Sequence, residues 1–268
     1  MPFALIGFTL AVAGEDTHFE WRVLALIILC MIFARNSAMA FNRYIDERFD
    51  KLNPRTAVRE IPSGIIPRKN ALLFVMLNCA LFIITTYFIN SICFFLSPVA
   101  LFVVLFYSYT KRFTPLCHLV LGVGLSLAPI GAYLAVTGVF HILPLLFSFA
   151  VLTWVSGFDI LYALQDEEFD REHHLRSIPV FLGRKNALIV SGILHLITAS
   201  IIIYIGFAYL PMMLYIAGAS IFIGLLIYQH TLVKPTDISK VNLAFGTTNG
   251  IASVIFAGFV ISAIFFQS

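Results

Sequence analysis

The sequence predicts an all-α, polytopic membrane protein. Hydrophobic residues make up 60% of its 268 positions and charged residues only 12%, with a mean hydropathy of +0.95. A soluble domain typically carries about 25% charged residues. The apolar residues fall into runs of bilayer length, and the basic residues gather in alternate connections. The net charge of +3 is no sign of nucleic-acid binding, because the basic residues that produce it mark topology. Twenty-seven Phe are many even for such a chain, and they suit either a greasy internal cavity or the lipid face.

A spanning helix needs roughly 20 apolar residues. Eight stretches meet that length, near residues 21–41, 69–89, 92–110, 116–138, 142–164, 186–206, 209–229 and 241–266. Residues 2–13 are apolar but too few to span, and read as the second half of a helix whose start is missing from the chain. No basic segment precedes them, so no cleavable signal peptide is expected. The eight full spans plus the truncated one give a nine-helix bundle in a single domain, 1–268. The four cysteines lie in or beside apolar runs without metal-like spacing and are expected to act as small hydrophobes.

Fifteen of the 17 Lys and Arg fall in four alternate connections, those near residues 43–69, 111–112, 171–185 and 234–240. The opposite connections, near 14–20, 90, 140 and 208, carry none. The positive-inside rule puts the charged connections in the cytoplasm and the carboxy terminus outside. The expected location is the inner (cytoplasmic) membrane, with polar chemistry at its cytoplasmic face.

Within this apolar frame stand two acidic patches, Asn42-Arg-Tyr-Ile-Asp46-Glu-Arg-Phe-Asp50 and Asp159-Ile-Leu-Tyr-Ala-Leu-Gln-Asp166-Glu-Glu-Phe-Asp170. They belong to an internal similarity. Ile45 to Asp50 resembles Gln165 to Asp170, Arg59-Glu-Ile-Pro62 is echoed by Arg176-Ser-Ile-Pro179, and Arg68-Lys-Asn-Ala-Leu72 by Arg184-Lys-Asn-Ala-Leu188. Both acidic helices run from outside to inside. The pattern therefore predicts a parallel repeat, about 20–110 and 142–230, that sets the two patches face to face.

Asn42, Asp46 and Asp50 are spaced by four, a stripe about 80° wide on a helix. Asp159, Asp166 and Asp170, spaced by seven and four, also share a face. A hard cation such as Mg²⁺ takes oxygen ligands, usually one or two carboxylates completed by water and substrate phosphates. Two facing stripes suit two or three Mg²⁺ with a diphosphate between them. Without metal, so many like charges predict an electrostatically strained site. Glu47, Glu167 and Glu168 point off the stripes and are expected to be solvated. Arg59, Lys111, Arg112 and Arg176 are candidates for the diphosphate oxygens. Asp159 lies two turns deeper than Asp166, inside the membrane, where an acid is a functional candidate by default. Arg35 precedes Asn42 by two turns and faces the same way; it suits pairing with Asp159 or binding an anionic substrate group. The seven His form no ligand set and are expected to be structural.

Three of these stretches resemble the conserved blocks of the UbiA superfamily of intramembrane prenyltransferases. They are Arg35-Asn-Ser-Ala-Met-Ala-Phe-Asn-Arg-Tyr-Ile-Asp46 with Arg59-Glu-Ile-Pro-Ser-Gly64, Tyr107-Ser-Tyr-Thr-Lys-Arg-Phe-Thr114, and Gly157-Phe-Asp-Ile-Leu-Tyr-Ala-Leu-Gln-Asp-Glu-Glu-Phe-Asp170. The wording is nearest to the 4-hydroxybenzoate polyprenyltransferase branch. The resemblance implies nine helices around a central cavity and Mg²⁺-dependent transfer of a polyprenyl chain from an allylic diphosphate to an aromatic acid, in respiratory quinone synthesis. It implies metal ligation by Asp46, Asp50, Asp166 and Asp170 with Asn42 assisting, leaving-group stabilisation by Arg59, Lys111, Arg112 and Arg176, and acceptor contacts from Asp159 and Arg35. The acceptor is 4-hydroxybenzoate or a dihydroxynaphthoate-type acid. Two features depart from the family pattern: the shortened first helix, and Glu60 and Ile61 standing before Pro62. A membrane transporter is the competing class, but a carrier sets its site near the midplane on broken helices. These acids lie at helix ends.

Overall fold

The structure, a computed structural model, describes residues 1–14 and 18–267; part of the connection expected near 14–20, and Ser268, lie outside the described residues. The described elements are helical: α1 (Pro2–Val12), α2 (Trp21–Leu52), α3 (Arg68–Tyr87), α4 (Ser91–Thr110), α5 (Cys117–Thr137), α6 (Ile142–Ala163), α7 (Glu167–Glu172), α8 (Ile178–Ala208), α9 (Met213–Leu232) and α10 (Asn249–Gln267). A 3₁₀ turn, Leu164–Asp166, joins α6 to α7, and a π-helical stretch, Leu243–Thr248, leads into α10. Eight of the helical segments are long and apolar enough to cross a bilayer, and α1 is not. The chain is an integral membrane protein.

Helix ends are set by local chemistry. Asn90 accepts the Cys93 N–H at 2.9 Å and starts α4. Ser177 caps α8 through the Val180 N–H, followed by Ile178 and Pro179, where a missing N–H costs nothing. Gly183, at φ 74°, breaks α8 early, so the helix begins at 178 and turns before the straight segment expected from 186. The 32 residues of α2 reach about 48 Å, well past a hydrocarbon core of about 30 Å. The first acidic stripe therefore rides on the projecting end of a membrane helix.

The short α1 is a core element. Phe3 packs against Trp154, Phe222 and Phe256, with ring centroids 5.3, 6.4 and 5.9 Å away, joining α1 to α6, α9 and α10. Gly7 lets α1 lie on the α5 backbone, since a Cβ there would stand 2.0 Å from the Pro129 carbonyl oxygen. Small residues at such crossings are the usual device of membrane helices, where packing replaces the hydrophobic drive. The phenylalanines divide between two settings. Phe147, Phe222 and Phe256 are buried in the core, whereas Phe95, Phe181 and Phe207 are among the most exposed side chains.

Candidate metal and diphosphate site

The first stripe stands on one face of α2. Asn42 Nδ2 donates to Asp46 Oδ2 at 3.1 Å, one helical turn on. Asp50 is buried near the helix end, and Arg59 Nη1 reaches both its oxygens, at 3.1 and 3.0 Å. That reach is possible because the chain turns back after Leu52, with the Thr56 hydroxyl donating to the Asp50 carbonyl at 3.2 Å.

The second stripe is built differently from the expected single face. The α6 helix ends at Ala163, the 3₁₀ turn carries Asp166, and α7 carries Asp170. The tighter turn changes the angle per residue, so the seven-residue step from Asp159 to Asp166 does not follow one regular α-helix. Asp166 is buried and held from across the bundle: Asn53 Nδ2 donates to Oδ1 at 3.1 Å, and Arg55 grips the carboxylate through Nε at 3.1 Å and Nη2 at 2.5 Å. Arg55 Nη1 also donates to the Tyr162 hydroxyl at 2.9 Å. The α2–α3 connection thus closes over the second acidic patch.

The α4–α5 connection links the two patches. Lys111 Nζ lies 3.2 and 3.1 Å from the oxygens of Asp170, and its charge also acts on Asp46. Arg112 Nη2 sits 3.4 Å from Asp46 Oδ1 and donates to the Ile45 carbonyl at 2.8 Å. Burial pulls the Lys111 pKa down, but Asp170 and Asp166 outweigh it and hold the ammonium above its ordinary range. Lys111 therefore stays charged at physiological pH.

Each of the four acids has a cationic partner, which offsets part of the repulsion between them. Among the described residues no three His, Cys, Asp or Glu side chains converge on one ion position, and Arg55, Arg59, Lys111 and Arg112 pair with the carboxylates. The donor set still fits Mg²⁺, being hard carboxylate oxygen at every position, a set that water and phosphate oxygens usually complete. Asp170 Oδ2 is buried with no hydrogen bond among the described residues, and Lys111 meets it only as an ion pair.

Several residues stand elsewhere than expected. Arg176 forms no ion pair with the acids among the described residues: its Nη1 donates to the Phe113 carbonyl at 2.8 Å and its backbone N–H to the Lys111 carbonyl at 2.6 Å. It ties the α7–α8 connection to the α4–α5 connection, because a carbonyl in the neighbouring turn is nearer than any acid. Glu167 is buried rather than solvated, bonded to Arg171 and Arg184 at 2.6 Å each. Asp159 pairs with His118 on α5, Nδ1 to Oδ2 at 2.7 Å, which decides against a pairing with Arg35. Arg35 is exposed on α2 and has no hydrogen-bond or ion-pair partner among the described residues. Asn53, Arg55 and His118 stand beside the candidate residues, and no sequence pattern marks them. Arg55 was one basic residue among seven in a connection, with nothing local to mark it.

Residues 1–263 match the family model of the UbiA prenyltransferase family. The 4-hydroxybenzoate octaprenyltransferase of Nitrosomonas europaea is 32% identical over 265 residues, 97% of this chain and 88% of that protein. The protein of the same name from Tolumonas auensis is 30% identical, over 89% of this chain and 84% of its own. Among solved structures, the UbiA homologue from Aeropyrum pernix K1 superposes with a TM-score of 0.85 at 27% identity, covering 99% of this chain and 97% of that one. A homologue from Archaeoglobus fulgidus, solved with DMAPP and Mg²⁺, shares the fold with a TM-score of 0.73 at 21% identity, over 98% of this chain and 93% of that one. The chain belongs to the UbiA prenyltransferase family and is a membrane-embedded prenyltransferase.

Proposed function

We propose that the protein transfers a polyprenyl group from an allylic diphosphate to an aromatic acid such as 4-hydroxybenzoate, with Mg²⁺, in respiratory quinone synthesis. The observation that carries this reading is the pairing of two facing sets of carboxylates with four cations from two connections. Such an arrangement suits a metal–diphosphate complex, whose phosphate oxygens take the cations while its metal takes the acids. The names of the bacterial relatives and the DMAPP and Mg²⁺ bound by the A. fulgidus homologue support it.

Asp46, Asp50, Asp166 and Asp170, with Asn42 assisting, would hold Mg²⁺, which supplies charge neutralisation for the diphosphate. Arg59, Lys111 and Arg112, released from their carboxylates, bind the oxygens of the leaving diphosphate. The allylic C–O bond breaks with its electron pair on oxygen, and apolar side chains keep water from the cation. The acceptor ring forms the new carbon–carbon bond, and its ring proton passes to a nearby carboxylate or to water. Arg35, an unpaired guanidinium on an apolar helix, takes the acceptor carboxylate, and Asp159 orients the acceptor hydroxyl. The site opens to the cytoplasmic face, the carboxy terminus lies outside, and the two acidic helices belong to a parallel repeat in one domain.

Membranes carrying the protein, given Mg²⁺, a long-chain prenyl diphosphate and either 4-hydroxybenzoate or a dihydroxynaphthoate, should yield prenylated product with one of the two. Asp46→Ala and Asp166→Ala should each lower that activity roughly a hundredfold or more while the protein still inserts. Full activity in either variant would overturn the metal assignment.

A further inference from the structure

We propose that His118 is a positioning residue for Asp159: it binds one carboxylate oxygen so that the other is presented to the hydroxyl of the aromatic acceptor. This rests on the prenyl-transfer reading and adds to it a residue from outside the acidic patches.

His118 is fully buried on α5, and its ring is addressed from both sides. The backbone N–H of Ile178 donates to Nε2 at 3.3 Å. That N–H belongs to the first turn of α8, where no intrahelical acceptor exists, and the imidazole supplies one. Because Nε2 accepts from the Ile178 N–H, the ring proton lies on Nδ1. Nδ1 faces Asp159 Oδ2 at 2.7 Å and donates to it. One helix terminus thereby orients the ring so that it holds the carboxylate.

The ring has little freedom to leave this position. The Ser156 hydroxyl donates to the His118 carbonyl at 3.2 Å and to the Leu152 carbonyl at 2.7 Å. At Gly122, one turn on, a Cβ would stand 2.3 Å from Ser156 Oγ, so α5 and α6 approach as closely as backbones allow. Asp159 itself remains open: its side chain is 22% exposed, and Oδ1 has no hydrogen-bond partner among the described residues. Tyr107 on α4 lies in the electrostatic reach of both Asp159 and Asp46, which puts Asp159 on the side of the bundle shared with the α2 stripe. An accessible oxygen there, deeper than the four paired acids, suits a hydroxyl of the acceptor.

The test compares His118→Leu, His118→Asn and His118→Gln, alone and with Asp159→Asn, under prenyl-transfer conditions. Asn sets an amide N–H near the place of Nδ1, whereas Gln sets it near Nε2, away from Asp159. His118→Leu and His118→Gln should lower kcat/KM for the acceptor about 10- to 100-fold with the KM for the prenyl diphosphate unchanged, and His118→Asn should recover most of it. In the Asp159→Asn background the same substitutions should change the rate by less than about twofold, because residues acting as one unit are not additive. Losses that multiply in that background, or equal losses in the Asn and Gln variants, overturn the proposal; the Asn–Gln contrast decides even if the Leu variant does not accumulate. A wild-type protein inactive with both acceptors overturns the prenyl-transfer reading itself, whereas an active wild type with additive losses overturns only the role of His118.

Discussion

Arg176 and Lys111 show how much one residue's setting decides. Both are basic, both stand in charged connections, and both were expected at the diphosphate. Lys111 lies between Asp170 and Asp46, while Arg176 spends its guanidinium on the Phe113 carbonyl. Lys111→Ala should therefore raise the KM for the prenyl diphosphate about tenfold or more, the value of a charged hydrogen bond. Arg176→Ala should leave that KM within about twofold and instead lower stability by about 1 kcal/mol. Steady-state kinetics with a detergent melting curve separates the two. A donor KM that rises in the Arg176 variant would return that residue to the site. The stripe on α2 was legible because residues four apart on a helix must share a face. The partners of its acids were not, since a guanidinium on a flexible stem takes whichever acceptor the fold brings near.

At the scale of elements, the α2–α3 connection is both a link and a cover. Asn53 and Arg55 reach across to Asp166, and Arg59 turns back to Asp50, so one short stretch neutralises an acid from each patch. Removing Arg55 leaves a buried carboxylate without its cation. Arg55→Ala should cost about 1.5–3 kcal/mol in metal-free stability, toward the low end because a third of the arginine side chain is exposed. Added Mg²⁺ should then raise the melting temperature more in the variant than in the wild type, since the metal supplies the missing charge. An equal shift in both proteins would argue that Arg55 and the metal do not share Asp166. The short α1 gives a second test. Gly7→Val would drive a side chain into the Pro129 carbonyl and should cost about 1–3 kcal/mol in thermal unfolding. Gly131→Ala on α5, where a Cβ meets nothing within 4 Å, should be neutral or stabilising, and equal losses in the two variants would refute the close α1–α5 packing.

For the whole molecule, the charged connections meet at one end of the bundle. Arg112 touches the end of α2, Arg176 touches the α4–α5 connection, and Arg55 reaches Tyr162 near the end of α6. A carrier would gather its charges near the midplane. Sidedness is open to direct labelling in a background whose four native cysteines are replaced by alanine. Val139→Cys should react with an impermeant thiol reagent in intact cells, and Lys234→Cys only after permeabilisation. The opposite pattern would invert the proposed topology.

Sequence alone determined the number of spans, their approximate ends and the positions of the acids. These follow from bilayer thickness and helical periodicity, which act on neighbours in the chain. It also carried the family, through three short blocks that the match over residues 1–263 extends to nearly the whole chain. Tertiary structure alone decided which cation holds which acid, that α6 ends in a 3₁₀ turn before Asp166, and that His118 rather than Arg35 meets Asp159. Arg55 and Asp166 are 111 residues apart, Lys111 and Asp170 are 59 apart, and His118 and Asp159 are 41 apart. Contacts over such separations depend on how helices rotate and where connections cross, and no local pattern encodes either.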